Sequence, residues 1–164
     1  MKWKRERGRL ASFRVAAAAI LIDRLTKIWA LGPLNDAGGV MDGIDGVFGF
    51  ALARNTGAAF SALASHPAIV AVLSALILAA LGAAVFFGRT FSPSARICLS
   101  LIWAGGVGNL IDRAIYGWVI DFIRLEFFTF PIFNFADICV TGGAVWFAAR
   151  LLLGGERTRE DSRK

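Results

Sequence analysis

The chain reads as an all-α membrane protein: four transmembrane helices with a small β-rich extracytoplasmic segment between helices 1 and 2. Three observations lead there. Of its 164 residues 57% are apolar, with a mean hydropathy of +0.62. A soluble domain is nearer 45–50%, so the surplus calls for a second apolar solvent besides a core. Four stretches are long enough to cross about 30 Å of hydrocarbon, which takes about 20 helical residues. Finally, Lys and Arg gather at the two ends and in one short connection. That is a pattern of membrane orientation rather than of a phosphate-binding face, so the formal charge of +6 is not read as nucleic-acid binding.

The first span is expected at 13–31. The basic start "MKWKRERGRLASFR" followed by "VAAAAILI" resembles the opening of a secretory signal. Asp23, Arg24 and Lys27 interrupt the apolar run and no small-x-small cleavage site is suitably placed, so the segment is expected to stay as a span. Asp23 and Lys27 stand four residues apart and are read as a structural pair along one helix face. The second span, 67–87, contains no charge. The third, 95–115, and the fourth, 135–153, each hold ionisable residues, which inside a membrane mark function by default. Gly105, Gly106, Gly108, Gly142 and Gly143 would let these helices approach closely. Cys98 and Cys139 lie in apolar runs and are read as packing residues.

The N-terminal arm holds six basic residues (Lys2, Lys4, Arg5, Arg7, Arg9 and Arg14), Arg89 and Arg96 lie at the connection of the second and third spans, and 155–164 is a basic tail. The loops 32–66 and 116–134 hold only Arg54 and Arg124. The positive-inside rule therefore puts both termini in the cytoplasm and those two loops outside. The longer one is glycine-rich, with β-prone pieces such as 47–52, and is expected to form short strands at the outer surface. His66 is read as an interfacial loop residue. The whole chain, 1–164, is expected to be one integral membrane domain.

From Arg96 to Asp112 is about 24 Å of helix, and from Arg150 to Asp137 about 20 Å. Both carboxylates then lie near the outer face, and Asp121 sits in the short outer loop. Two carboxylates close together cannot easily both ionise, so one keeps a proton and the pair offers a base and an acid at once. Such a pair can add water to an amide without a covalent intermediate. Spacing alone leaves open whether Asp112 or Asp121 partners Asp137, and whether these groups merely pair with Arg113, Arg124 or helix-end amides. Asn55, Asn109 and Asn134 could hold a carboxylate or a substrate backbone; Asn134 could also simply cap the fourth helix. A lone His and no Cys-x-x-Cys give a metal site no support, and no Ser/His pairing suggests a serine hydrolase.

Five strings now stand in order: "DRLTK" at 23–27, "NTGAAF" at 55–60, "GGVGNLIDR" at 105–113, "VIDF" at 119–122 and "FNFAD" at 133–137. With them the chain resembles bacterial lipoprotein signal peptidase (signal peptidase II) over nearly its whole length. The resemblance implies an integral membrane aspartic endopeptidase of the bacterial inner membrane, with its active site near the outer face. It would cut prolipoproteins just before a diacylglyceryl-modified cysteine. It implies a catalytic dyad of Asp121 and Asp137, supported by Asn55, Gly57, Asn109, Asp112, Arg113 and Asn134, with Asp23 and Lys27 structural. The expected partners are such substrates and membrane lipids, with no cofactor, no metal, no nucleic acid and a monomeric chain. The rival readings are a proton-coupled transporter using the same Asp residues as a relay, and a packing protein that uses "GGVGN" for helix contact.

Overall fold

The computed structural model describes residues 2–57, 67–88 and 91–153, with the side chains of 2–5 and of Pro67 left out. His66, the end of the 55–60 string and the 155–164 tail lie outside those residues. The element order is α1 (Lys2–Trp29), a π turn (Ala30–Leu34), β1 (Val40–Ile44), β2 (Phe48–Asn55), α2 (Pro67–Phe87), α3 (Pro93–Tyr116), β3 (Val119–Leu125) and α4 (Phe135–Leu152). The molecule is mostly helical, with one small antiparallel sheet.

Helix α3 is the hub. It packs against α1, α2 and α4, whereas α1 and α2 barely meet. It starts at Ser92, whose Oγ accepts the Ala95 N–H at 3.3 Å, with Pro93 next in the first turn, where a missing N–H costs nothing. It stops at Gly117, which closes the helix in the left-handed region at φ 78°. Close contact on its other side depends on Gly108. A Cβ there would meet Asp23 Oδ2 of α1 at 2.5 Å, so only glycine lets the α1 carboxylate come so near the α3 backbone. Cys98 and Cys139 are buried thiols in the α3–α4 region.

Helix α1 ends in the π turn, which holds Pro33. Proline removes a backbone donor and cannot continue the α-helical ladder, so the chain leaves the bundle there. Strands β1 and β2 form a hairpin, and the sheet order is β1-β2-β3. The 32–66 segment thus supplies the expected strands. The third strand comes from 116–134, which reads as a loop in sequence. Its residues Val119, Ile120, Asp121 and Phe122 are all buried, so "VIDF" lacks the alternation that marks a half-exposed strand. Behind it an apolar cluster of Ala30, Leu34, Ile120 and Phe122 fastens the sheet to the end of α1.

Among the described residues three helical stretches are long and apolar enough to cross a membrane: Ala68–Phe87, Pro93–Tyr116 and Phe135–Leu152. Four spans are expected from sequence; α1 is as long as the others, but Asp23, Arg24 and Lys27 interrupt its apolar run.

Candidate active site

The β2–β3 register brings the first pair of site residues together. Ala53 faces Asp121 and Asn55 faces Val119, so Asn55 is the diagonal neighbour of Asp121 across the ladder. Its Nδ2 donates to Asp121 Oδ2 at 2.8 Å. The amide is held that way round because its Oδ1 accepts the Gly57 N–H at 2.8 Å. Gly57 needs φ 97° to aim that N–H, a conformation L side chains rarely adopt.

The second carboxylate sits at the start of α4. Asn134 is the N-cap; its Oδ1 accepts the Asp137 N–H at 3.0 Å, and Asp137 Oδ2 accepts the Asn134 N–H at 3.1 Å. This reciprocal capping box satisfies two otherwise orphaned donors. Asn134 also reaches the other way, its Nδ2 donating to Asp121 Oδ1 at 2.7 Å. One residue therefore ties both carboxylates. Asn109 of α3 adds a donor, Nδ2 to Asp137 Oδ1 at 2.8 Å, and its Oδ1 accepts from Asn134 Nδ2 at 3.1 Å.

Asp121 is 1% exposed, while Asp137 is half-buried. Burial pushes the Asp121 carboxyl from the usual 3.8 up to about 6. The Asp137 charge pushes the same way, while the Asn55 and Asn134 hydrogen bonds and the Lys27 charge pull down. A carboxyl at that value can hold or release a proton near neutral pH.

Asp112 faces away from this pair. Its Oδ1 takes Arg24 Nη1 at 2.7 Å and its Oδ2 takes Lys27 Nζ at 2.7 Å, and Oδ2 also accepts the Ile120 N–H at 3.2 Å. Asp23 completes the group, meeting Arg24 at 2.6 Å and Lys27 at 3.2 Å. Two anions and two cations, three of the four fully buried, thus join α1 to α3. Lys27 Nζ also donates to Asn109 Oδ1 at 2.9 Å, so one hydrogen-bonded chain runs from this ion group to both carboxylates. Arg113 turns its Nη1 towards the Asn109 carbonyl at 3.4 Å and feels the Asp137, Asp121 and Asp112 charges. Arg24 reads in sequence as a mere interruption of the first span, yet it belongs to this group. Its place between two Asp-bearing helices has only one sequence signal, its position one turn before Lys27.

The arrangement presents two carboxylates of unlike burial, fixed by three asparagines, at the end of the bundle where the sheet attaches. The comparisons with known proteins agree with that picture. A family model described as signal peptidase (SPase) II matches residues 15–153. A lipoprotein signal peptidase of Clostridium acetobutylicum is 36% identical over 87% of this chain and 94% of its own length. That of Bifidobacterium longum subsp. infantis is 34% identical over 96% of this chain and 87% of its own. A solved bacterial membrane enzyme, determined by the in meso method at 2.3 Å, superposes with a TM-score of 0.77 at 28% identity, covering 92% of each chain. The chain is a bacterial integral membrane protein, a peptidase, and belongs to the signal peptidase II family.

Proposed function

We propose that the protein is the aspartic endopeptidase that removes signal peptides from diacylglyceryl-modified prolipoproteins, with Asp121 and Asp137 as the dyad that activates water. The observation that carries this reading is the double grip of Asn134, its side chain on Asp121 and its backbone on Asp137. In the proposed reaction the carboxylate member of the pair takes a proton from water as the water oxygen attacks the scissile carbonyl carbon. The carboxyl member gives its proton to the carbonyl oxygen. The resulting gem-diol collapses, the C–N bond breaks, and the cysteine amine leaves with a proton returned by the pair. The pair is treated as one coupled acid, without fixed roles for its members.

Four spans, both termini cytoplasmic and a dyad near the outer face complete the proposal. Helix α1 can serve as the first span because its charges are neutralised within the bundle: Asp23, Arg24 and Lys27 all pair locally or with Asp112. The sheet, attached where α1, α3 and α4 begin or end, would then lie at the outer interface. There a lipid-held peptide meets water while its acyl chains stay in hydrocarbon. Asn55, Gly57, Asn109, Asn134 and Arg113 would hold the dyad and the peptide, with Asp23, Lys27 and Asp112 fixing the frame.

The test is in vitro cleavage of a diacylglyceryl-modified precursor beside the same unlipidated peptide. The lipidated form should be cut before its cysteine and the unlipidated form left nearly untouched. Asp121→Asn and Asp137→Asn should each abolish cleavage while still expressing. Ion flux with no cleavage would point instead to a transporter, and full activity in either variant would remove the dyad.

A further inference from the structure

The dyad end of the molecule leaves one large feature unused. An apolar cavity of about 470 Å³ opens between α1 and α2 over α3, within the rough 300–1,000 Å³ range of small-ligand sites. It exists because α1 and α2 scarcely touch and because small residues, Ala16, Ala17, Ala79 and Ala83, face each other across it. Aromatic side chains wall the end away from the dyad. Phe13 stacks on Phe86 at 4.3 Å, Phe86 meets Trp103 edge-on at 5.1 Å, and Trp103 Nε1 is tied to the Leu78 carbonyl at 2.8 Å. Ring contacts therefore shape that end of the slot.

A guanidinium stands at that end. Arg9 Nε donates to the Phe86 carbonyl at 2.8 Å, and its guanidinium lies 6.0 Å from the Phe87 ring; both phenylalanines line the cavity. The ion pairs among the described residues do not include Arg9. Arg14 is exposed about one turn further along α1. A dry groove open to hydrocarbon with a fixed guanidinium at its mouth is complementary to one molecule shape: an acyl chain ending in a phosphate.

We propose that this groove is a binding site for an anionic phospholipid, one acyl chain lying between α1 and α2 and the headgroup phosphate on Arg9. The site rests on α1 crossing the membrane, as in the topology proposed for the enzyme, and that topology puts the headgroup in the cytoplasmic leaflet. Arg9 lies fourteen residues, about 21 Å of helix, before Asp23, so the lipid headgroup sits far from the dyad and the lipid is a bound companion of the enzyme and not its substrate.

Native mass spectrometry of the detergent-solubilised full chain, titrated with palmitoyl-oleoyl phosphatidylglycerol or the phosphatidylcholine of the same chains, reads the site directly. The wild type should keep one phosphatidylglycerol in preference to phosphatidylcholine. Arg9→Gln should weaken phosphatidylglycerol retention about fivefold, the worth of one basic residue at a lipid surface, and phosphatidylcholine retention by less, because the choline cation offsets the charge of its phosphate. Ala83→Phe, which fills the slot, should reduce retention of both lipids, and Ala17→Leu serves the same purpose if that variant does not fold. Equal retention of the two lipids by the wild type, or undiminished retention in a folded slot-filling variant, overturns the proposal. Precursor cleavage measured on the same samples keeps the outcomes apart, since lipid retention can fail with cleavage intact and cleavage can fail with retention intact.

Discussion

Asp121→Asn separates the electrostatics of the site from its chemistry. A carboxyl whose folded pKa lies above its unfolded one binds its proton more tightly when folded. The stability this brings is fully present below about 3.8 and is lost as pH rises through about 6. The gap is about two units, and at about 1.4 kcal/mol each the wild type forfeits about 3 kcal/mol over that window. The amide variant has no charge to gain. It carries instead a penalty independent of pH, because one of its two polar atoms becomes a donor facing the Asn55 or Asn134 amide, worth about 1–3 kcal/mol. The variant should therefore be less stable than wild type at about pH 4 and close the gap, or reverse it, by about pH 8. At roughly 2–4 °C per kcal/mol for a chain of this size, the difference in Tm should move by about 6–12 °C in favour of the variant. Thermal unfolding in detergent, followed by tryptophan fluorescence at closely spaced pH values, measures it. A difference in Tm that stays flat across the window, or moves the opposite way, refutes the burial argument.

Three further changes probe the supports. Asn55→Ala removes a hydrogen bond that holds the Asp121 carboxyl down, so the alkaline limb of the kcat/KM profile should shift to higher pH; a shift to lower pH would contradict the assignment. Lys27→Met leaves Asp23 and Asp112 with Arg24 as their only cation among the described residues. Breaking a buried ion group in this way costs about 3–5 kcal/mol, and denaturation in detergent should show a loss of that order, together with reduced kcat. Gly108→Ala drives a methyl group against Asp23 Oδ2 and should destabilise by about 1–3 kcal/mol. Unchanged stability there would mean α1 can shift away from α3 without cost.

Much of the helical frame is legible because apolar runs and their charged ends obey the bilayer's dimensions. The expected span at 67–87 coincides with α2, and 95–115 and 135–153 differ from α3 and α4 only by end residues. Helix α1 starts well before 13 because no residue in "KWKRERGRLASF" stops a helix, so the end of hydrophobicity is not the end of the element. Strand β3 is hidden in sequence for a different reason. A strand buried on both faces reads like any short apolar run, and its partner β2 lies more than sixty residues away. The same hidden pairing explains why spacing cannot choose between Asp112 and Asp121. Measured along the chain both fall near the C-terminal end of α3, and only the β2–β3 register turns Asp121 towards Asn134 while α1 claims Asp112. The double duty of Asn134, cap and carboxylate ligand together, arises from the same placement: its cap role shows in the sequence and its reach to Asp121 does not.

The proton that the proposed dyad would share is the most direct target. An infrared titration of the carboxyl stretch, taken as the difference between wild type and Asp121→Asn, isolates that group. A protonated band should persist to about pH 6 and titrate at lower pH in Asp137→Asn, where the neighbouring charge that favours protonation is gone. A band already lost at about pH 4, or one indifferent to Asp137→Asn, would contradict a proton held between the two carboxylates.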